Sequence, residues 1–525
     1  MARVFNTAGP CDPRFHYIIP PEQRTPEARR LIEEMGYFVV HAPRQTGKTT
    51  LLRSLARTLT AEGRFAALHF SCETAKVTLG DYGAAERLVL GSIRGAAARE
   101  LSAELQPPPW PDGEPGQRLQ EGLAAWAAAC PRPLVLFFDE IDALFDASLM
   151  SVLGQLRAGF DGRPDHFPWS VALCGLRDVR DYKVASGGGA PRLGSSSPFN
   201  IKVESLRIGD FSAAEVRALY AQHTADTGQA FTEDALARAF ELTAGQPWLV
   251  NALAREVVRN MGVAPPEAIT ADHLDQAKER LILARQTHLD SLVARLMESR
   301  VRAVIEPLLA GTLIAEDTFD DDVRYVRDLG LVAPDRPLRV ANPIYREIIV
   351  RVLAGKGEEA VTVEPRAFVR PDGRLDLDQM LSAFVDFWIL NGDVLTGTMP
   401  YHEVAPQLVL MAFLQRVVNG GGYIEREYGV GRGRIDLLVR WPLPDAGGRR
   451  IWQREALELK VWADGKPDPL PKGLEQLDGC LQRLGVDAGV LVIFDRRAAA
   501  RSIDARTKFE AAATTTGRAV TVLRA

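Results

Sequence analysis

The sequence predicts a multidomain α/β protein. It has a parallel-sheet core over residues 1–205, a helical lid over 206–295, a winged helix over 296–355, a linker over 356–385 and a second α/β domain over 386–525. Three observations predict this. At roughly 100 to 200 residues per domain, 525 residues supply three or four cores. Short apolar runs alternate with amphipathic helical patterns twice along the chain. A Gly/Pro-containing linker separates the two alternations.

In the first alternation the apolar runs are "YFVVHA", "FAALHFSCE", "LVLFFDEID" and "WSVALCGLRD", with the helical pattern "TTLLRSLARTLTAEG" after the first. Continuous apolar strands separated by helices imply a parallel sheet covered on both faces. The Gly/Ser-rich "ASGGGAPRLGSSSPFN" at 185–200 reads as a mobile loop after the last core strand. Helix-start signals at "DFSAAEVRALYAQH" and "TEDALARAFELTAGQPWLVNALAREVV" open the lid. In "DLGLVAPDRPLRVANPIYREIIVRVLA" a short strand, a polar turn and a second strand lead into a helix, the texture of a winged helix. After the linker come helices at about 377–392 and 401–418, then the strands "GYIEREYGVGR", "RIDLLVRW", "REALELKVW" and "AGVLVIF".

Composition excludes little. Hydrophobic residues make up 46% and charged residues 25%, with a net charge of −5, so no global basic excess announces nucleic acid. A local basic groove on an acidic whole can still steer a polyanion. Cys11, Cys72, Cys130, Cys174 and Cys480 are scattered without a C-x-x-C pair, which predicts reduced thiols in a cytoplasmic protein and no structural zinc. No apolar run of about 18 residues and no signal-like N-terminus occur, so neither export nor membrane insertion is expected.

The stretch "HAPRQTGKTT" lies between a strand and a helix. A phosphate-binding loop needs backbone N–H groups curled at a helix N-terminus, a lysine for the β- and γ-phosphates and a hydroxyl for Mg²⁺. Gly47, Lys48, Thr49 and Thr50 meet that need, while Ala42 replaces the first glycine of the pattern. The apolar strand "PLVLFFDEID" ends in Asp139, suited to the Mg²⁺ shell, and Glu140, suited to activating water. Together they predict ATP and Mg²⁺ as cofactors. Arg177, at the end of the next strand, is a candidate phosphate sensor, and Arg44 could also approach phosphate.

The loop, the Asp-Glu strand and "GQPWLVNALA" at 245–254, followed by winged-helix texture, resemble the STAND class of signal-transduction ATPases in the AAA-related branch, over roughly residues 10–355. The resemblance implies that Gly245 and Pro247 pack near the nucleotide, and that nucleotide state rearranges core, lid and winged helix to expose or assemble an effector. Pro247 also fits the first turn of a helix on its own account.

In the C-terminal region "GRGRIDLLVRW" and "REALELKVW" form a hairpin that carries Asp436 on one strand and Glu458 with Lys460 on the next. Strand periodicity sets Glu458 and Lys460 on one face. Two carboxylates and a lysine suit Mg²⁺-dependent phosphodiester hydrolysis. The arrangement resembles the PD-(D/E)XK, restriction-endonuclease-like nucleases. That resemblance implies Asp436 and Glu458 as metal ligands, Lys460 as catalytic, Gln476 in "GLEQLDGCLQRLG" as accessory, and an upstream helical acid. Glu403 is best placed for that acid, with Glu425 or Glu427 as alternatives; Cys480 stands where some relatives carry Tyr. Arg426, Arg432, Arg434, Arg440, Arg449, Arg450 and Arg454 cluster nearby and suit a nucleic-acid backbone, DNA first.

The combined expectation is an ATP-gated nuclease, by analogy a defence against foreign DNA, with a trigger or partner protein not identifiable from sequence and homo-oligomerisation in the active state. A DNA-processing ATPase-nuclease without a sensing role and a regulatory ATPase scaffold with a non-catalytic nuclease fold remain open.

Overall fold

The computed structural model describes residues 3–176, 201–284, 292, 294–309, 321–360, 368–398, 404–418, 422–430, 433–443 and 451–525. The chain divides into two compact units: Met1–His288 with Val326–Val332, and Leu289–Tyr325 with Ala333–Ala525. The Gly/Ser-rich stretch at 185–200 lies outside the described residues.

The first unit is built on a 5-stranded sheet in the order β2-β3-β4-β1-β5, from β1 Tyr37–His41, β2 Ala66–Ser71, β3 Leu134–Asp139, β4 Ser170–Gly175 and β5 Lys202–Arg207. All its pairings are parallel. β3 and β4 are buried along their whole length, as their unbroken apolar runs require. Helices α1 Pro26–Glu33, α2 Lys48–Ala61, α3 Tyr82–Glu100, α4 Arg118–Ala129 and α5 Asp146–Gly159 cover the sheet. One apolar cluster gathers Leu68, Val89, Trp126, Leu136 and Leu156, and a second joins Leu31, Val40, Leu52, Phe137 and Ala172. Strand β5 was not foreseen: in "KVESLR" only Leu206 is buried, so no apolar run announces it.

Where a lid was expected, four helices follow: α6 Ala213–Thr227, α7 Glu233–Thr243, α8 Pro247–Arg255 and α9 Ala271–Leu283. Their starts are written in the sequence. Ser212 and Glu215 close a reciprocal capping box, Thr232 caps α7, and Gln246 caps α8 with Pro247 in the first turn. The N-terminal segment belongs to this layer: Arg3 pairs with Asp226 at 2.8 Å, and Trp248 Nε1 donates to Thr7 O at 2.9 Å.

The second unit continues with α10 Ser299–Leu309, while α11 Asp321–Asp328 and α12 Pro343–Ala360 flank the expected wing. Where two short strands were expected, Ala333 N–H donates to Arg339 O at 2.8 Å, and only isolated bridge residues stand there among the described residues. Pro334 and Pro337 supply no N–H to a longer ladder.

Helices α13 Leu377–Thr398 and α14 Ala405–Val418 lead to a 6-stranded sheet in the order β10-β11-β9-β8-β7-β6. Its strands are β6 Tyr423–Val430, β7 Gly433–Leu443, β8 Ile451–Trp462, β9 Ala488–Asp495, β10 Lys508–Ala513 and β11 Ala519–Arg524, with α15 Leu470–Leu484 before β9. β6, β7 and β8 pair antiparallel, whereas β8 with β9 and β9 with β11 are parallel. Among the described residues no helix is long and apolar enough to cross a membrane.

Candidate functional site

The loop between β1 and α2 forms because two residues adopt the left-handed region, Gln45 at φ 60° and Gly47 at φ 96°. Ala42 does not, and it is buried in the core, so the missing glycine costs the loop nothing at that position. Gly47 is the N-cap of α2, which has no side-chain cap, leaving the first N–H groups of the helix for an anion. Lys48 folds back along the loop, donating to Ala42 O at 2.8 Å and Pro43 O at 2.7 Å. Burial pushes its ammonium below the usual lysine range.

Thr49 Oγ1 donates to Asp139 Oδ2 at 2.7 Å, so the hydroxyl and the carboxylate suited to Mg²⁺ already meet. His69 Nε2 lies 2.9 Å from the same oxygen. Burial alone would raise the Asp139 carboxyl, but the hydrogen bonds from His69 and Thr49 outweigh it and hold the group below its usual value. Glu140 has φ 56°, and Ser71 Oγ donates to its carboxylate. Desolvation, with Glu73, Asp139 and Asp142 nearby, holds the Glu140 carboxyl above its usual range. Thr50 Oγ1 accepts from Cys11 N–H at 3.1 Å, tying the N-terminal segment to the loop.

The helices after the core border the loop. A cavity of about 120 Å³ is lined by Thr7, Gly47, Thr50, Phe211, Pro247 and Asn251, so Pro247 does stand beside the loop. Gly245 is required there: at φ 79° a Cβ would sit 1.8 Å from Phe211 O, and Gly245 O accepts Phe211 N–H at 2.8 Å. Gly330 also approaches the loop, where a Cβ would lie 2.7 Å from Pro43 Cβ. Arg44 is exposed, with no ion pair among the described residues, and Arg177 lies outside them. His69 and Ser71 were missed in the sequence. Their signal is two polar side chains at alternate positions in an otherwise apolar strand.

Over residues 27–161 the chain matches the family model of the AAA ATPase domain. Residues 27–161 are an AAA ATPase domain. The chain is similar to the Walker-type ATPase PABY2304 of Pyrococcus abyssi, at 14% identity over 66% of this chain and 99% of that one, with a TM-score of 0.45. It is also similar to the Thermotoga maritima RuvB Holliday junction branch migration motor, at 15% identity over 62% of this chain and 93% of that one, with a TM-score of 0.34. No curated protein matches it. In the AAA ATPase domain the groups described above fit ATP with Mg²⁺: an uncapped helix N-terminus, a buried lysine and a hydroxyl–carboxylate pair.

A second constellation lies on β7 and β8. The two strands pair Leu437 with Leu457, and the same register carried on sets Asp436 opposite Glu458. Leu459 N–H donates to Asp436 Oδ2 at 2.8 Å. Lys460 Nζ is 2.5 Å from Glu458 Oε1 and 3.9 Å from Asp436 Oδ2, so the three expected residues do converge. Glu458 is 2% exposed, and its Oε2 is buried with no hydrogen-bond partner among the described residues. Burial first, and Asp436 second, push its carboxyl up to about 7 against the opposing pull of Lys460.

The remaining expectations divide. Gln476 is exposed on α15, and no hydrogen bond joins it to the trio among the described residues. Cys480, one turn on, is buried, and the charge of Glu458 adds to the burial that raises its thiol. Glu403 and the side chain of Glu427 lie outside the described residues. Glu425 is bound to Arg440 at 2.7 Å, and Arg440 also stacks over Trp452, which removes both from the free charges expected at this face. Arg454 is exposed opposite Arg440, whereas Arg432, Arg449, Arg450 and the side chains of Arg426 and Arg434 lie outside the described residues. Among the described residues no group of three or more His, Cys, Asp or Glu is gathered for a metal. Two carboxylates, one with an orphaned buried oxygen, still suit a hard cation.

Proposed function

We propose that this chain is a STAND-type ATP switch controlling a Mg²⁺-dependent nuclease in its C-terminal domain, which cuts nucleic-acid phosphodiesters, DNA in particular. One observation carries the nuclease reading: Glu458 is a buried carboxylate with one oxygen on Lys460, the other without a partner among the described residues, and a second carboxylate, Asp436, across the strand pair. A salt bridge made for stability would leave neither an orphaned oxygen nor a carboxyl held near neutrality.

In this reading Asp436 and Glu458 hold the Mg²⁺, with Glu403 as the upstream acid, and Gln476 assists from α15. The bound metal supplies Lewis acidity to the phosphate and lowers the pKa of water. Lys460 places its ammonium where negative charge grows on the phosphate oxygens. At the other site Lys48 binds the terminal phosphates of ATP, Thr49 and Asp139 hold its Mg²⁺, and Glu140 takes the proton from water. The lid, through Pro247, and the Val326–Val332 segment, through Gly330, both border the phosphate loop, which supports a switch driven by nucleotide state. Homo-oligomerisation on activation, an unidentified trigger protein, a cytoplasmic setting and defence against foreign DNA belong to the same proposal.

The test is cleavage of supercoiled, linear and single-stranded DNA, with an RNA control, by the full-length protein in Mg²⁺. Cleavage by wild type that is lost in Lys460→Ala supports the nuclease. Cleavage retained at wild-type rate in that variant removes the site from the chemistry.

A further inference from the structure

A cleft of about 870 Å³ opens between α2 and α3, and its floor is β2, the edge strand of the core sheet. At the two ends of β2, Ala66 N–H donates to Pro133 O and Cys72 N–H to Asp139 O. The even-numbered residues therefore face β3, and Ala67, His69 and Ser71 turn their main-chain groups to the open edge. Thr60 Oγ1 satisfies both groups of Ala67, at 3.0 and 3.1 Å. No other backbone group among the described residues pairs with those of His69 and Ser71 outside the sheet ladder. An unpaired edge of this kind is a template for another strand.

The walls carry an excess of positive charge. Arg53 and Arg57 from α2, and Arg87 and Arg99 from α3, line the cleft and are exposed. The one carboxylate in the lining, Glu100, is 3.5 Å from Arg57. Arg53, Arg87 and Arg99 have no ion pair among the described residues. Gly91 on α3 leaves room: a Cβ there meets no atom within 4 Å. Of the described lining residues with rings, Phe70 is 2% exposed and His69 is held on Asp139, so neither offers a platform on which bases could stack.

We infer that this cleft binds an extended acidic peptide segment of a partner protein, added to the β2 edge as a strand with its carboxylates on the four arginines. The occupant bonds through its main chain to His69 and Ser71, and its alternate side chains reach the two helical walls.

The experiment is fluorescence anisotropy of a labelled alternating Glu–Val peptide with the full-length chain. Comparison ligands are the Lys–Val peptide, the Glu–Val peptide N-methylated at alternate residues, and an oligothymidylate of equal charge. The inference expects the Glu–Val peptide to bind, and Arg87→Glu/Arg99→Glu to weaken it about tenfold or more. Gly91→Trp fills the cleft at an exposed helical position where losing glycine does not harm the helix, and it should abolish binding. N-methylation should weaken binding by a similar factor. No binding of the Glu–Val peptide, equal binding of its N-methylated form, or equal binding of the oligothymidylate that Gly91→Trp removes would each overturn the inference.

Discussion

Thr49 and Asp139 meet at 2.7 Å across the nucleotide centre, and the carboxylate oxygen that accepts the hydroxyl also contacts His69. Two groups that the proposed function assigns to one cation are thus already held together by a hydrogen bond. His69 holds the carboxylate through that one contact, Nε2 to Asp139 Oδ2 at 2.9 Å.

Removing His69 should act through Asp139. His69→Ala is expected to weaken the Mg²⁺ dependence of ATP turnover about 10- to 100-fold, the usual range for a residue that orients a ligand. The Asp139 carboxyl is depressed, so its ionised form persists below the ordinary aspartate range and is lost only as pH falls through the lowered folded value. In the variant that acid limb should move to higher pH, and His69→Gln should restore part of the shift. An unchanged limb would remove His69 from this role.

Gly245 and Gly228 separate backbone strain from steric overlap. Both have positive φ, 79° and 74°, but a Cβ at Gly228 meets nothing within 4 Å, whereas at Gly245 it runs into Phe211 O. Gly228→Ala should cost roughly 1–2 kcal/mol. Gly245→Ala should cost roughly twice that or more, because the chain of Phe211 must also move. Thermal unfolding of the two variants measures the difference directly, and equal costs would contradict the overlap.

Glu458 makes stability depend on pH in the direction opposite to an ordinary paired carboxylate. Its folded value, about 7, lies above the unfolded one. The stability it contributes is therefore complete at acid pH and is lost as pH rises from the unfolded value through about 7. Glu458→Gln should raise the melting temperature at pH 8 in chelator and change it little at pH 5. Mg²⁺ should stabilise wild type at pH 8 and leave the variant unaffected. A melting temperature of the variant that tracks wild type across this range would contradict the burial of a charged carboxylate here.

The nucleotide loop was legible because its chemistry is local in sequence, with Gly47, Lys48 and Thr49 consecutive and Asp139 at the end of an unbroken apolar strand. His69 and Ser71 were not, because their partners lie 70 and 69 residues away and strand periodicity does not say which strand is the neighbour. The same limit hid β5, β10 and β11, whose sequences are short or rich in alanine and threonine. Asp436, Glu458 and Lys460 were legible because a hairpin fixes its own neighbours. The arginine cluster misled at Arg440, because a count of charges does not reveal that Glu425 and Trp452 already hold one of them.

In the proposed function, nucleotide state governs the C-terminal site. The most direct measurement of this is the rate of Mg²⁺-dependent DNA cleavage by full-length wild type and Lys48→Ala, each with and without ATP. The account predicts that ATP changes the wild-type rate by about tenfold or more and leaves Lys48→Ala unmoved, because that variant has lost its hold on the terminal phosphates. Equal cleavage by both proteins, with ATP making no difference to either, would contradict it.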